Sequence, residues 1–230
     1  MGGGNSSSSL PIGHPGGGGS GGKWSGTPNT LAPNTLREAL GQKGRPMSMM
    51  KAAEGANPYF DKTGTYREFT FNCQRCVVAN EARRRGYDVV AQPTYEGDKM
   101  GAAAYVNPNT GVRNSYWMGS FQGAKPEKVG KTTATATQRA LESKMAEYGN
   151  GSRAVMQVQW KGGNGHVISV ERKGGKTYYV DPQDGTRYRP KDLFGAIKPR
   201  STQITRVDNL KFSDRAKKMV ETRGSRTNNK

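Results

Sequence analysis

Cysteine and histidine are scarce in this chain, with two of each in 230 residues, and long apolar runs are missing altogether. Two thiols and two imidazoles, with His14 set in a glycine-rich stretch, leave too few ligands of the usual kind for a four-coordinate structural zinc site. No metal is therefore expected, and no other cofactor is implied. No run approaches the roughly 18 apolar residues that cross a bilayer, which argues against a membrane-spanning helix. The N-terminal stretch has no basic region followed by an apolar segment, so a secretory signal peptide is not expected. The protein should reside in the cytoplasm of the producing cell, or reach a target cell or virion by a non-classical route. Signatures of zinc fingers, helix-turn-helix units and RRM domains are missing too. Hydrophobic residues make up 32% of the sequence and mean hydropathy is −0.86, so a core must be confined to part of the chain.

Glycine and positive charge are abundant. Many of the 32 glycines crowd the N-terminal stretch, where Gly, Ser, Pro and Asn predominate and only Leu10, Ile12, Trp24 and Leu31 are larger apolar residues. That composition reads as a disordered tail over 1–35. Residues 36–212 carry the apolar patterning of one folded domain, and 213–230 read as a basic, frayed tail. The net charge of +18 is spread along the chain rather than blocked. Such a surface attracts nucleic acid without sequence preference, and equally serves as a plain solvated exterior.

Both cysteines fall in one stretch, Phe71-Asn72-Cys73-Gln74-Arg75-Cys76-Val77-Val78-Ala79-Asn80-Glu81-Ala82-Arg83-Arg84-Arg85-Gly86. Asn72 suits an N-cap, its side-chain oxygen accepting an orphaned N–H of the first turn. Val77, Val78, Ala79 and Ala82 supply an apolar side, Arg83 to Arg85 load the end favoured by the macrodipole, and Gly86 stops the helix. A thiol at a helix N-terminus has its thiolate stabilised. The C-x-x-C spacing also fits a redox pair at the start of a helix, whereas a disulfide within one helical turn would be strained. One reactive and one buried cysteine is the reading favoured here. Cys73 is the preferred nucleophile because it opens the helix, with Cys76, one turn inside beside Val77, as the alternative.

The remaining elements follow from periodicity and turn chemistry. Leu36–Leu40 and Met47–Glu54 read as short helices, the second with Ser48 as cap. Tyr59, Phe60, Tyr66, Phe69 and Phe71 crowd the approach to the cysteine helix, as packing residues do. Tyr87–Ala91 reads as a strand and 94–125 as an irregular segment anchored by Tyr105, Tyr116, Trp117 and Phe121. A helix is expected over Thr132–Tyr148, with Ala136, Ala140, Leu141 and Met145 inward. Ala154–Trp160 follows as a strand whose apolar face is Ala154, Met156, Val158 and Trp160. His166–Glu171 and Thr177–Val180 form a hairpin through Gly174-Gly175. Leu193–Ile197 and Ile204–Leu210 complete the core.

A cysteine nucleophile needs a base, and the base an orienting partner. With His14 in the tail, His166 is the available imidazole. If Lys173 pairs with Lys176, Ile168 lies opposite Asp181, and His166 and Asp181 become same-face diagonal neighbours roughly 7–8 Å apart. A bulge or register change would bring them opposite. Asp181 is otherwise simply a turn residue before Pro182.

The run from Asn72 to Val89, preceded by Gly55-Ala56-Asn57-Pro58 and followed by Gly165-His166-Val167 and Tyr179-Val180-Asp181-Pro182-Gln183-Asp184-Gly185, resembles the papain-fold toxin family of glutamine deamidases. Such domains occur in polymorphic toxins and alongside phage minor head proteins. The resemblance spans about 36–212. It implies an α+β, papain-like cysteine-hydrolase fold, with the cysteine helix packed on an antiparallel sheet, and a triad of Cys73 (alternatively Cys76), His166 and Asp181. It further implies a protein substrate presenting a glutamine side chain, and an immunity protein or phage head component as partner. Papain-like peptidases place an oxyanion-binding glutamine upstream of the cysteine, and Arg67-Glu68-Phe69-Thr70-Phe71 contains none. The oxyanion is expected to meet the backbone N–H of the nucleophile with Asn72 or Gln74. A cysteine peptidase or acyltransferase on the same site, and a non-enzymatic basic protein associated with phage heads or DNA, are the rival readings.

Overall fold

The computed structural model describes residues 33–65, 67–94, 104–106 and 113–224. The expected tail up to residue 32, His14, Tyr66 and most of 95–112, with the side chain of Tyr105, lie outside the described residues. The architecture is α+β. Short helices α1 (Leu36–Leu40), α2 (Met49–Glu54) and α3 (Arg67–Thr70) lead into the cysteine helix α4 (Cys73–Arg84). Strands β1 (Val89–Ala91), β2 (Ala104–Val106), β3 (Arg113–Ser115) and β4 (Glu127–Lys128) precede helix α5 (Ala134–Tyr148). Then come β5 (Arg153–Gln159), β6 (Gly165–Lys173), β7 (Lys176–Val180), β8 (Arg187–Tyr188), α6 (Pro190–Ala196), β9 (Gln203–Arg206) and β10 (Val220–Thr222).

Local chemistry sets the early boundaries. Thr35 and Glu38 form a reciprocal capping box on α1, and Ser48 caps α2 as its position suggests. The central sheet runs β4-β9-β5-β6-β7-β8, antiparallel throughout. The β6–β7 hairpin has the expected register, Lys173 opposite Lys176. Gly174 and Gly175 both take positive φ, 57° and 75°, as a two-residue turn matched to strand twist requires.

Both faces of this sheet are covered. Ala154, Met156, Val158, Ile168, Val170 and Ile204 meet Leu141 and Met145 of α5 and Leu193 and Phe194 of α6. On the opposite face Val155 and Val167 join Val77, Val78 and Ala79 of α4. The sequence pattern suggests one apolar face only, because on the second face Val155 alternates with Gln157 and Gln159. The inward stripe of α5 is Thr137, Leu141 and Met145, not one that begins at Ala136, which is exposed.

Helix α4 is not amphipathic but buried nearly all round, from Arg75 to Arg83. Most of its buried polar groups are paired, which limits the cost of burying them. Asn80 donates to Ser169 Oγ at 2.9 Å. Glu81 accepts both Nε and Nη2 of Arg153 at 2.8 and 2.9 Å and Arg85 Nε at 2.7 Å. Arg83 reaches the carbonyls of Ala52 and Val89 and the Asp88 carboxylate. Arg84 grips Glu171 through two bonds, and Arg85 reaches the carbonyls of Leu210 and Val207. The arginine run is thus a set of tethers to four separate parts of the chain.

The C-terminal stretch corrects the expectation of fraying from residue 213. Strand β10 pairs with β1, Val90 opposite Glu221. Ala216, Met219 and Val220 are buried, and Arg75 donates to the Lys218 carbonyl at 2.8 Å. Three apolar residues among basic ones give no periodic signal, so the domain extends at least to Thr222 without announcing it.

Replacing Glu81 by Ala leaves the Arg153 and Arg85 guanidinium groups without their shared carboxylate, and should lower the unfolding free energy by about 3 kcal/mol. Urea denaturation followed by circular dichroism measures it.

Candidate active site

The site forms where α4 begins, β6 begins and β7 ends. Asn72 precedes the helix, with φ −107° and ψ 21°, but its side chain makes no cap. Instead it forms a reciprocal amide pair with Asn57. Asn72 Nδ2 donates to Asn57 Oδ1 at 3.1 Å and to the Gln92 carbonyl at 3.4 Å. Asn57 Nδ2 returns a bond to Asn72 Oδ1 at 3.3 Å. The cap expected at Asn72 is therefore not made, because its oxygen accepts from Asn57 instead, while its amide hydrogens are directed at Asn57 and Gln92.

The two cysteines differ sharply. Cys76 is fully buried, and its thiol donates to Asn72 Oδ1 at 3.2 Å. Burial first, then the neighbouring Cys73 and Asp181, push its pKa well up, so it stays a protonated thiol. Cys73 is half-buried and lines a cleft of about 310 Å³ with Gln74, Ser115, Gln157, Gln159 and His166.

His166 stands at the start of β6, opposite Val158. Its Nε2 lies 2.6 Å from Asp181 Oδ2, with both side chains almost wholly buried. The β6–β7 ladder ends at the pair Ser169–Val180, so His166 and Asp181 are not cross-strand neighbours. No bulge or register change joins them. The chain leaves the ladder after Val180 and turns tightly, with Asp181 N–H donating to the Thr186 carbonyl and Gly185 N–H to the Asp181 carbonyl. Gly185 permits this with a φ of 78°. Asp181 Oδ1 accepts the Gln183 N–H at 2.9 Å, and the Tyr188 hydroxyl lies 3.4 Å from Oδ2. Trp160 covers the imidazole, ring centroids 5.4 Å apart and planes inclined by 31°.

Burial alone would lower the imidazole pKa. The charge and hydrogen bond of Asp181, followed by a hydrogen bond to Cys73, outweigh it and raise the value well above 6.5. The arrangement is thus a sulfur, an imidazole and a carboxylate in series, with the sulfur on the open side. It can pass a proton from sulfur to ring while the carboxylate fixes the ring. Gln74 has its oxygen held by the Trp117 N–H at 3.1 Å, which makes its nitrogen the donor end.

Two residues named in the sequence only within the runs that flank the motif, Asn57 and Gln183, hold these parts together. Gln183 Nε2 donates to the Thr70 carbonyl at 2.6 Å. Asn57 Nδ2 donates to the carbonyls of Phe69 and Gln183, both at 2.8 Å. The hairpin end carrying Asp181 is thereby bound to the segment that delivers Cys73. Only the shared presence of Gly55–Pro58 and Gln183–Gly185 around the motif hinted at this. Among the described residues, no group of three His, Cys, Asp or Glu side chains is arranged to hold a metal ion.

A family model described as papain fold toxin 1, glutamine deamidase, matches residues 71–186, the stretch that contains Cys73, His166, Asp181 and the Gln183 turn. No curated protein and no solved structure matches the chain.

Because the folded imidazole holds its proton more tightly than the unfolded one, its contribution to stability is complete below pH 6.5 and is lost as pH rises through the folded value. Asp181→Asn removes the main cause. The stability gap between wild type and Asp181→Asn, from urea unfolding at a series of pH values, should be largest on the acid side of neutrality and narrow on the alkaline side.

Proposed function

The chain belongs to the papain-fold glutamine deamidase toxin family, and we propose that it hydrolyses the side-chain amide of glutamine in a protein substrate through Cys73, His166 and Asp181. One observation carries this reading: a buried imidazole hydrogen-bonded to Asp181 on one side and Cys73 on the other, with only Cys73 at the helix start and open to a cleft.

His166 takes the Cys73 proton, and the sulfur attacks the carboxamide carbon. The oxyanion meets the Cys73 backbone N–H, which has no intrahelical acceptor at this position, and the Gln74 amide nitrogen. One such donor contributes about 10²–10³ in rate. His166 protonates the departing ammonia, and the neutral ring then activates a water that cleaves the thioester. Glutamate and the free thiol result. Asp181 keeps the imidazole in one orientation and tautomer. Exchanging a carboxamide for a carboxylate deletes the donor end of the side chain and adds a charge, enough to break a contact in the target. The thiol of Cys76, buried and bonded to Asn72, takes no part. The cleft is also where an immunity protein protecting the producing cell would dock.

Incubation with a glutamine-containing peptide library, read by ammonia release and mass spectrometry, tests the chemistry. Amide-to-acid conversion without new peptide termini is expected, whereas new termini would mean a peptidase. Cys73→Ala and His166→Ala should each lower turnover by about 10³-fold or more with folding retained, and Cys76→Ala should stay active. Activity that survives Cys73→Ala and vanishes in Cys76→Ala would overturn the choice of nucleophile.

A further inference from the structure

Strand β5 lies inside the sheet, between β9 and β6, and its residues Met156 and Val158 are buried. Gln157 between them is a polar residue on the face otherwise marked by Val155, opposite Val167 on β6 and Gln203 on β9. It is one position from Val158, the cross-strand partner of His166, and it lines the cleft opposite α4. A half-buried amide at such a place is costly unless bonded. Its oxygen accepts the hydroxyl of Ser115. Ser115 occupies the N-cap position of a 3-10 turn over Tyr116–Ser120, yet makes no cap bond there. The hydroxyl is spent on Gln157.

The same segment holds Gln74 through the Trp117 N–H. Two glutamines from different elements, one on the helix and one on the sheet, therefore have their oxygens taken by neighbouring residues of a single short turn. With its oxygen taken by Ser115, Gln157 has its NH₂ as the donor end, on a residue that lines the cleft. Gln74, next to Cys73 in sequence, is placed for the oxyanion. Gln157 is on the other wall, too far along β5 to be a second member of the helix terminus.

We propose that Gln157 binds a backbone carbonyl oxygen of the substrate polypeptide beside the target glutamine, and that Ser115 is a positioning residue that fixes the Gln157 amide in its donating orientation. This role presupposes the deamidase reading above. It makes the cleft selective for an extended peptide with an accessible backbone carbonyl beside the target glutamine.

The test uses the full-length protein and the peptide deamidated fastest in the library. Gln157→Met keeps the length of the side chain and deletes the donor. KM should rise about tenfold with kcat within about twofold, the signature of lost binding common to ground and transition states. Ser115→Ala should raise KM about threefold, and Ser115→Thr, which keeps the hydroxyl, should restore it. The rate at which iodoacetamide alkylates Cys73 should be the same in all four proteins, which separates substrate positioning from damage to the thiol and imidazole. An unchanged KM in Gln157→Met, or a KM change matched by altered alkylation, overturns the role of Gln157 while the deamidase reading stands. A wild-type protein that deamidates no peptide overturns both.

Discussion

The hydrogen bonds from Asn57 and Gln183 to the chain on either side of Phe71 are the constraint on which the site depends. Cys73 belongs to a helix and Asp181 to a turn that has left its sheet, so no ladder or helical repeat fixes one relative to the other. Asn57 bonds the Phe69 and Gln183 carbonyls with one nitrogen, and Gln183 bonds the Thr70 carbonyl with its own. Gln183 also supplies the N–H that holds Asp181 Oδ1. The same residue thus orients the carboxylate and ties it to the approach to the cysteine. Proximity on this scale is what turns a thiol and an imidazole into a reacting pair.

The second support is the helix itself. A cysteine helix exposed on one side would be free to tilt against the sheet. Here Glu81, Arg83, Arg84 and Arg85 fix it to β5, β1, β6 and the chain after β9. Charges inside a protein are poor sources of net stability, but directional bonds in several directions define one position. For a site whose geometry must hold to a fraction of an ångström, that definition matters more than the stability itself.

Much of this was legible. The cap at Ser48, the cysteine helix, and the β6–β7 turn through Gly174-Gly175 are local chemistry, and local chemistry is written in neighbouring residues. The parity of His166 and Asp181 also brought the right pair into view. What stayed hidden is long-range. The His166–Asp181 contact arises from a departure of the chain after Val180, which a ladder extrapolated from Lys173–Lys176 misses. Asn72 looks like a cap and is claimed instead by Asn57, 15 positions away. Val155 looks isolated until α4 covers it. The arginines read as a charged helix end because their acceptors are mostly backbone carbonyls, which carry no sequence signature.

The pairing of β1 with β10 has a consequence for the order in which the molecule can be completed. β1 follows directly on the cysteine helix, but its partner Val220–Thr222 is the last of the described strands to be synthesised. A chain emerging from a ribosome, or threading through a narrow channel, exposes the unpaired β1 edge until that segment is out. Contacts so distant in sequence form late and slowly. The flank of the helix opposite its reactive end is therefore sealed last, and a partly emerged chain has the cysteine long before it has the finished framework around it.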